Sequence, residues 1–486
     1  MKASATAKGV LVVPGELVPA ALRLEDKFPF PLENLSVGYL AAGLEARGIA
    51  AHIVDGYAER LDPEATARRV LSELAEGDVL GITVLQSTAL AARHLCQEVR
   101  GAGFTGPIVL GGWAATMAAP ELMRYVPQAD LLVKGEADDS FAELVMRLRE
   151  GRTLEGVPGL SWREGEALRS SETAPRNADF TEPRLPRHYA YERSEAVPAH
   201  ASLPIQGSRG CYWGRCSFCS TAARYGPRGW RMRSVRSLLE ELHHPAVAAA
   251  SHRVFFVDDE FFGPTPPGFA RARELAEALI SEGSPVEFGI DCLVTGFDPE
   301  LFALLRRAGL RRVFLGIEAG SNDSLKTFKK GFAVKQVRQT LAGLEALGID
   351  VISGYILFHP YMRLEEVKRS VDFLADELHH EGNPGKFLSR LHPEQGTELW
   401  ERLRGDGLLR GAFPDWDYAF RDPRVGQLYE ALRSATAGLR QEYTRVRLEQ
   451  RTDLSARDTF RELNRRFRET FESLYQDACR EPAITA

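Results

Sequence analysis

The chain has 486 residues, 44% hydrophobic and 26% charged, with a formal net charge of −6. That length exceeds one ordinary domain, so two or three units are expected, and the mild acidity gives no electrostatic reason to expect nucleic acid as a partner. No apolar run reaches the roughly 18–20 residues that span a bilayer, the opening MKASATAKGVLVVPGE lacks a signal-peptide pattern, and six cysteines, three of them bunched, make no disulfide framework. The cytoplasm is the expected compartment.

Residues 8 to about 150 alternate apolar strand runs (GVLVVP, AHIVDG, DVLGITV, PIVLGG, DLLVKG) with stretches whose apolar residues recur at three and four. Such alternation predicts an α/β, doubly wound parallel sheet covered on both faces. Ligands bind such sheets at the carboxyl ends of their strands. Here those ends carry Gln86-Ser87-Thr88, Gly111-Gly112-Trp113 and Gly135-Glu136. Residues 159–170 read as a hairpin, and a Pro- and charge-rich connector with Pro175, Pro183, Pro186 and Pro198 follows to about residue 201.

A second alternation occupies residues 202–410, with strand candidates LPIQGS, RVFFVDD, VEFGID, RRVFLGI, DVISGYIL and KFLSRL. Six units fall short of the eight of a closed barrel, so a partial (β/α)6 barrel of TIM type is expected. Barrel chemistry collects at the carboxyl ends of strands, where this chain sets Asp258-Asp259-Glu260, Asp291, Glu318, His359 and Arg390-His392. Residues 411–486 read as a helical region, with an apolar stripe and a charged back in TFRELNRRFRETFESLY.

Between the first and second barrel strands lies C-YWGR-C-SF-C, comprising Cys211, Cys216 and Cys219. Three close thiolates can hold a metal centre and leave a coordination position open, as reactive rather than structural sites do. Cys96 and Cys292 read as small core hydrophobes and Cys479 as an incidental thiol.

Several segments together resemble radical S-adenosylmethionine (SAM) enzymes with an N-terminal cobalamin-binding domain. The cysteine loop, VFFVDDEFFG, FLGIEAGSNDSLKTFKKG, ISGYILFHPYMRLEEV and LHPEQGTELWERLRGDGLL are similar to that family's segments, in the right order. The family's usual cysteine spacing is three residues then two; here four separate Cys211 from Cys216, and Gly214 is the residue able to absorb the extra one in a tight turn.

The resemblance implies a four-iron, four-sulfur cluster on Cys211, Cys216 and Cys219, with SAM on the fourth iron and an external electron donor. It implies SAM contacts at Asp258, Asp259, Glu260, Glu318 and Ser321. Cobalamin contacts would fall among Gln86, Ser87, Thr88, Gly111, Gly112, Trp113, Gly135 and Glu136. Tyr212, Trp213, His359, Arg390 and His392 are candidates for touching a small-molecule or peptide substrate. No histidine precedes His52, so the loop after the first strand supplies no axial ligand to cobalt. With cobalamin bound, radical methylation of an unactivated centre is the leading expectation. Ring formation or rearrangement without methyl transfer is the alternative, and a non-catalytic metal or cobalamin sensor is the alternative of another class.

Overall fold

The computed structural model describes residues 6–15, 33–165, 167–171, 179–192, 202–226, 229–244, 253–283, 286–378, 384–449 and 455–480. The first five strand runs form where Val, Ile and Leu crowd together. β1 (Gly9–Val13), β2 (Ala51–Asp55), β3 (Val79–Thr83), β4 (Ile108–Gly111) and β5 (Leu131–Val133) lie parallel, in the order β2-β1-β3-β4-β5. Branched side chains suit a pleated sheet, and burial on both faces explains why apolar and polar residues do not alternate along them. Val10 and Val12 belong to one apolar cluster, whereas Leu11 belongs to a second.

Helices α1 (Leu35–Glu45), α2 (Pro63–Glu73), α3 (Ala89–Gly101), α4 (Gly112–Met117), α5 (Ala119–Tyr125) and α6 (Ser140–Glu150) connect and cover these strands. Asn34 accepts the Ser36 N–H and Asp62 the Ala65 N–H, satisfying donors at the starts of α1 and α2. β6 (Leu160–Glu164) and β7 (Ala167–Ser170) form the expected hairpin and extend the same sheet, antiparallel, to seven strands.

Pro175 and Pro198 of the connector lie outside the described residues; the stretch 179–192 is bound to both neighbours. His188 is buried between Glu33, just before α1, and Glu241 of the barrel. Tyr189, which opens the short helix α7 (Tyr189–Glu192), donates its hydroxyl to Asp55 at the end of β2 and accepts the Asn34 N–H.

The barrel begins at β8 (Leu203–Ile205). A small antiparallel pair, β9 (Ser208–Arg209) and β10 (Arg231–Met232), brackets the cysteine loop and α8 (Thr221–Tyr225), and α9 (Val235–Leu242) follows. β11 (Arg253–Phe256), β12 (Glu287–Cys292), β13 (Leu310–Glu318) and β14 (Asp350–Tyr355) complete a five-stranded parallel sheet in the order β14-β13-β12-β11-β8. Its helices are α10 (Pro267–Ser281), α11 (Pro299–Ala308), α12 (Asn322–Thr327), α13 (Val334–Ala346) and α14 (Leu364–Glu377).

The sixth unit differs from the sequence reading. Residues 384–388 make a 3-10 turn, and the expected strand KFLSRL survives as a single parallel bridge, Phe358 to Arg390. Phe387 turns instead onto Phe467, ring centres 5.9 Å apart. After α15 (Glu398–Gly405) comes another departure: residues expected in the helical region open with a hairpin, β15 (Leu409–Ala412) and β16 (Asp415–Tyr418). Phe413 at its tip meets Tyr125 of the first domain edge-on.

α16 (Pro423–Ala435), α17 (Ala437–Glu449) and α18 (Ser455–Arg480) then pack on one another and against the 384–388 turn, α16 and α18 also against α14. Leu463, Phe467 and Phe471, four residues apart, are buried along one face of α18, each contributing roughly 2 kcal/mol of apolar burial. Among the described residues no helix is long and apolar enough to cross a membrane.

Candidate functional site

Cys211, Cys216 and Cys219 are free, partly buried thiols at the barrel mouth. Gly210 (φ +84°) and Gly214 (φ +52°) give the loop its two left-handed turns, the second within the longer cysteine spacing. Trp213 anchors the loop. Its Nε1 donates to the Lys329 carbonyl at 2.8 Å, and its ring lies so close to Gly331 that a Cβ there would sit 2.3 Å away. Tyr212 is tied through its hydroxyl to Thr295 at 3.0 Å.

Burial pushes the Cys211 thiol up to about 12 and the Cys216 thiol up to about 11, with backbone N–H groups of Gly214 and Trp213 pulling Cys211 back. A metal centre binding here must therefore displace protons, as thiolate ligation requires. The donor set suits iron–sulfur ligation.

At the end of β11 the three acidic residues do different work. Asp259 holds the cysteine loop: it accepts from the Gly210 N–H at 3.2 Å, the Thr221 hydroxyl at 3.2 Å and Arg224 at 2.9 Å. Glu260 accepts the Phe262 and Gly263 N–H groups at 3.2 and 2.5 Å. Asp258 accepts those of Gly207 and Ser208 through Oδ1 at 2.7 and 2.9 Å, while its Oδ2 is buried without a partner.

Oδ1 of Asp291, at the end of β12, is likewise buried and unpartnered. Burial pushes Asp258 up to about 7 and Glu260 up to about 8. Burial and then the other three carboxylates hold Asp291 well above the usual range. Two orphaned carboxylate oxygens call for a donor such as an ammonium or a ribose hydroxyl, which SAM carries.

Glu318 ends β13 in a left-handed conformation (φ +67°) that a non-glycine residue adopts only under constraint. Gly316 and Gly354 make room for its carboxylate; a Cβ on either would come within 3.2 Å of it. The buried Lys330 faces it at 3.4 Å and is also close to Cys216 and Cys219. The Ser321 hydroxyl accepts the Ser324 N–H at 3.1 Å and so caps α12.

Two candidate substrate contacts, His359 and Arg390, are engaged by protein groups. His359 is enclosed, its Nε2 3.0 Å from the Ser324 hydroxyl, its Nδ1 accepting the Tyr361 N–H and its ring edge-on to Phe328. Burial pushes it down to about 3, so the ring is neutral. Arg390 donates to the Tyr418 carbonyl and pairs with Asp417, both at 2.8 Å, under the rings of Tyr418 and Phe420. It fastens the hairpin. His392 does reach between the domains, 2.8 Å from Gln86 Nε2.

On the first domain an open cavity of about 1040 Å³, part of it solvent space, lies over the strand ends. Gly111, Gly112, Trp113, Gly135 and Glu136 line it together with Arg209, Arg224 and Tyr225 of the barrel. Gly112 (φ +85°) turns β4 into α4 so closely that a Cβ would sit 2.8 Å from Thr83 Oγ1. Gln86, Ser87 and Thr88 lie outside that lining; Thr88 Oγ1 accepts the Leu85 N–H and closes its own turn.

Among the described residues the exposed large hydrophobics are Leu85, Leu90 and Trp113, all beside these strand ends. A large, partly apolar ligand such as a corrin fits that rim. No histidine lines the cavity among the described residues. Sequence reasoning missed Arg209, Arg224 and Lys330, whose only signal is their closeness in sequence to the cysteines or to Glu318.

Residues 24–145 match the B12 binding domain family and residues 205–374 the radical SAM superfamily. A protein of Pyrococcus horikoshii described as an uncharacterized methyltransferase is 27% identical over 77% of this chain and 79% of its own length. The hopanoid C-2 methylase of Rhodopseudomonas palustris is 24% identical over 74% of this chain and 64% of its own. The 4′-phospho-dehydrooxetanocin synthase of Priestia megaterium is 24% identical over 72% of this chain, which spans about half of that protein, 49%.

The same fold occurs in the cobalamin-dependent SAM radical enzyme OxsB (TM-score 0.74, 20% identity, 97% of this chain and 72% of that one). It occurs also in the methyltransferase TsrM of Kitasatospora setae (TM-score 0.59, 20% identity, 76% of this chain and 70% of that one). With a B12-binding domain ahead of a radical SAM barrel, the chain belongs to the cobalamin-dependent radical SAM enzymes, whose cofactors are a four-iron, four-sulfur cluster, SAM and cobalamin.

Proposed function

We propose that this enzyme transfers a methyl group from SAM to an unactivated centre of a natural-product or peptide intermediate. One observation carries the reading: a single cavity has the B12-domain strand ends on one wall and Arg224 and Tyr225, next to the cysteine loop, on the other. When bound, the cluster with SAM supplies a carbon radical and cobalamin a methyl carrier, the protein supplying position and a dry chamber.

Cys211, Cys216 and Cys219 would hold three irons and leave the fourth open to SAM. Asp291 and Asp258, through their unpartnered oxygens, would accept from its ammonium or ribose hydroxyls. Asp259 would hold the loop rather than the ligand, because its oxygens are already committed. Glu318 would take a ribose or methionyl donor, held in place by Lys330. Tyr212 and His392 would border the substrate. The relatives called methyltransferase and hopanoid methylase support methyl transfer.

A second reading keeps the cofactors and forms a ring. It draws on the synthase above and on the anaerobic magnesium-protoporphyrin IX monomethyl ester cyclase of Cereibacter sphaeroides, 27% identical over 66% of this chain. The test is to incubate reconstituted, reduced enzyme with hydroxocobalamin and SAM and count two products. A methyltransferase yields S-adenosylhomocysteine as well as 5′-deoxyadenosine. Deoxyadenosine alone favours ring formation, and neither product points to the sensor reading and sinks both.

A further inference from the structure

Arg224 stands between the two cofactor sites. It lies on α8, five residues after Cys219, with a side chain only 6% exposed. Its Nη2 donates to Asp259 Oδ1 at 2.9 Å and to Thr221 Oγ1 at 3.1 Å. Thr221 in turn meets the Cys219 sulfur, Oγ1 at 3.2 Å and the backbone N–H at 3.5 Å. On its other side the same guanidinium lies over the Trp113 ring, 3.7 Å from its centre.

Trp113 is 43% exposed and lines the cavity over the B12-domain strand ends, as does Arg224 itself. Arg224 Nε is buried and has no hydrogen-bond partner, so the guanidinium is not fully satisfied within the protein. A short, continuous chain of contacts thus runs Cys219–Thr221–Asp259–Arg224–Trp113 from cluster loop to cobalamin cleft.

We infer that Arg224 is a positioning residue that couples the two cofactor sites, so that seating the cluster tightens the cleft for cobalamin, and the reverse. The physical basis is ordering. Arginine has a flexible stem whose freedom is lost when its planar head is fixed. With Cys219 ligating as a thiolate, the Thr221 N–H would keep its contact to the sulfur, and Thr221 with Asp259 would hold one edge of the guanidinium, its flat face over Trp113, before cobalamin arrives. Whichever ligand binds first bears the ordering cost, and the second binds more tightly; linkage makes the effect reciprocal. An arginine suits this task because its edge donates while its face stacks, which an ammonium cannot do.

The inference rests on the two-cofactor reading, and its test separates the two. Hydroxocobalamin is titrated optically into the full-length protein with and without a reconstituted cluster. For the wild type, Kd is expected to be at least about fivefold lower with the cluster. In Arg224→Gln the ratio falls to about one while iron per chain is unchanged. Trp113→Leu, a change at a half-exposed residue, loses the ratio in the same way; Trp113→Phe, which keeps an aromatic face, retains it.

A wild-type ratio of one, or a full ratio in both Arg224→Gln and Trp113→Leu, overturns the coupling while leaving the cofactors assigned. A wild type that takes up iron but no cobalamin overturns the two-cofactor reading and the inference with it.

Discussion

Arg209, two residues before Cys211, grips Asp138 of the first domain with both ends of its guanidinium, each contact 2.8 Å. The same side chain reaches Glu136 at 3.0 Å and lies over the rings of Tyr39 and Phe180. Glu136 pairs also with Arg231 of β10. The loop that lines the cobalamin cleft and the strand that leads into the cysteine loop are therefore held by one buried fork. Arg209→Met leaves the Asp138 carboxylate buried without its cation, which costs about 3–5 kcal/mol. A fall of that size in unfolding free energy, with the first domain melting separately from the barrel, is the expected result in calorimetry.

The connector is fastened by charge as well. Burial alone would push His188 down, but its bonds to Glu241 and Glu33 outweigh that and hold it up to about 9, against an ordinary value near 6.5. A raised folded value stabilises fully below pH 6.5, and that contribution fades as pH climbs through about 9. The shift corresponds to about 3 kcal/mol. His188→Gln should therefore be clearly less stable than wild type at pH 6, with the gap narrowing steadily toward pH 9.5. A gap that stays constant across denaturant midpoints from pH 6 to 9.5 contradicts the assignment.

Glu318 and Lys330 form a buried pair whose side chains are 15% and 3% exposed. Removing one partner strands the other, whereas removing both does not. Glu318→Gln and Lys330→Met are each expected to cost about 3 kcal/mol in the protein without its cluster, and the double variant to cost less than their sum. A double-mutant cycle on urea midpoints reads the difference.

Gly331 carries both a left-handed φ of +76° and the Trp213 ring against its α-carbon. Gly331→Ala therefore meets backbone strain and a clash with the side chain that anchors the cysteine loop. The expected outcome is retention of the overall fold by circular dichroism with a severalfold faster loss of iron to a chelator.

Much of this architecture was legible because it rests on local pattern. Strands β1 to β5 announce themselves as unbroken Val/Ile/Leu runs, and the cysteine loop as a cluster of thiols. The sixth barrel strand was not legible: KFLSRL has a strand's composition, yet Phe387 is drawn away by Phe467, eighty residues later. Tertiary packing decided it. His359 and Arg390 look like cavity residues by position and are enclosed by Ser324, Phe328 and Tyr418, partners whose proximity no spacing rule reveals. Arg224 and Lys330 were invisible for the converse reason, since a lone basic residue near a helix end usually faces water.

A cluster and cobalamin held by one chain around one chamber can be counted as metals. The most direct measurement is anaerobic reconstitution with iron, sulfide and hydroxocobalamin, followed by metal analysis of the wild type and of the Cys211→Ala/Cys216→Ala/Cys219→Ala variant. About four irons and about one cobalt per wild-type chain are expected, with loss of the iron and retention of the fold in the variant. Four irons without cobalt, or iron retained by the triple variant, would contradict that arrangement.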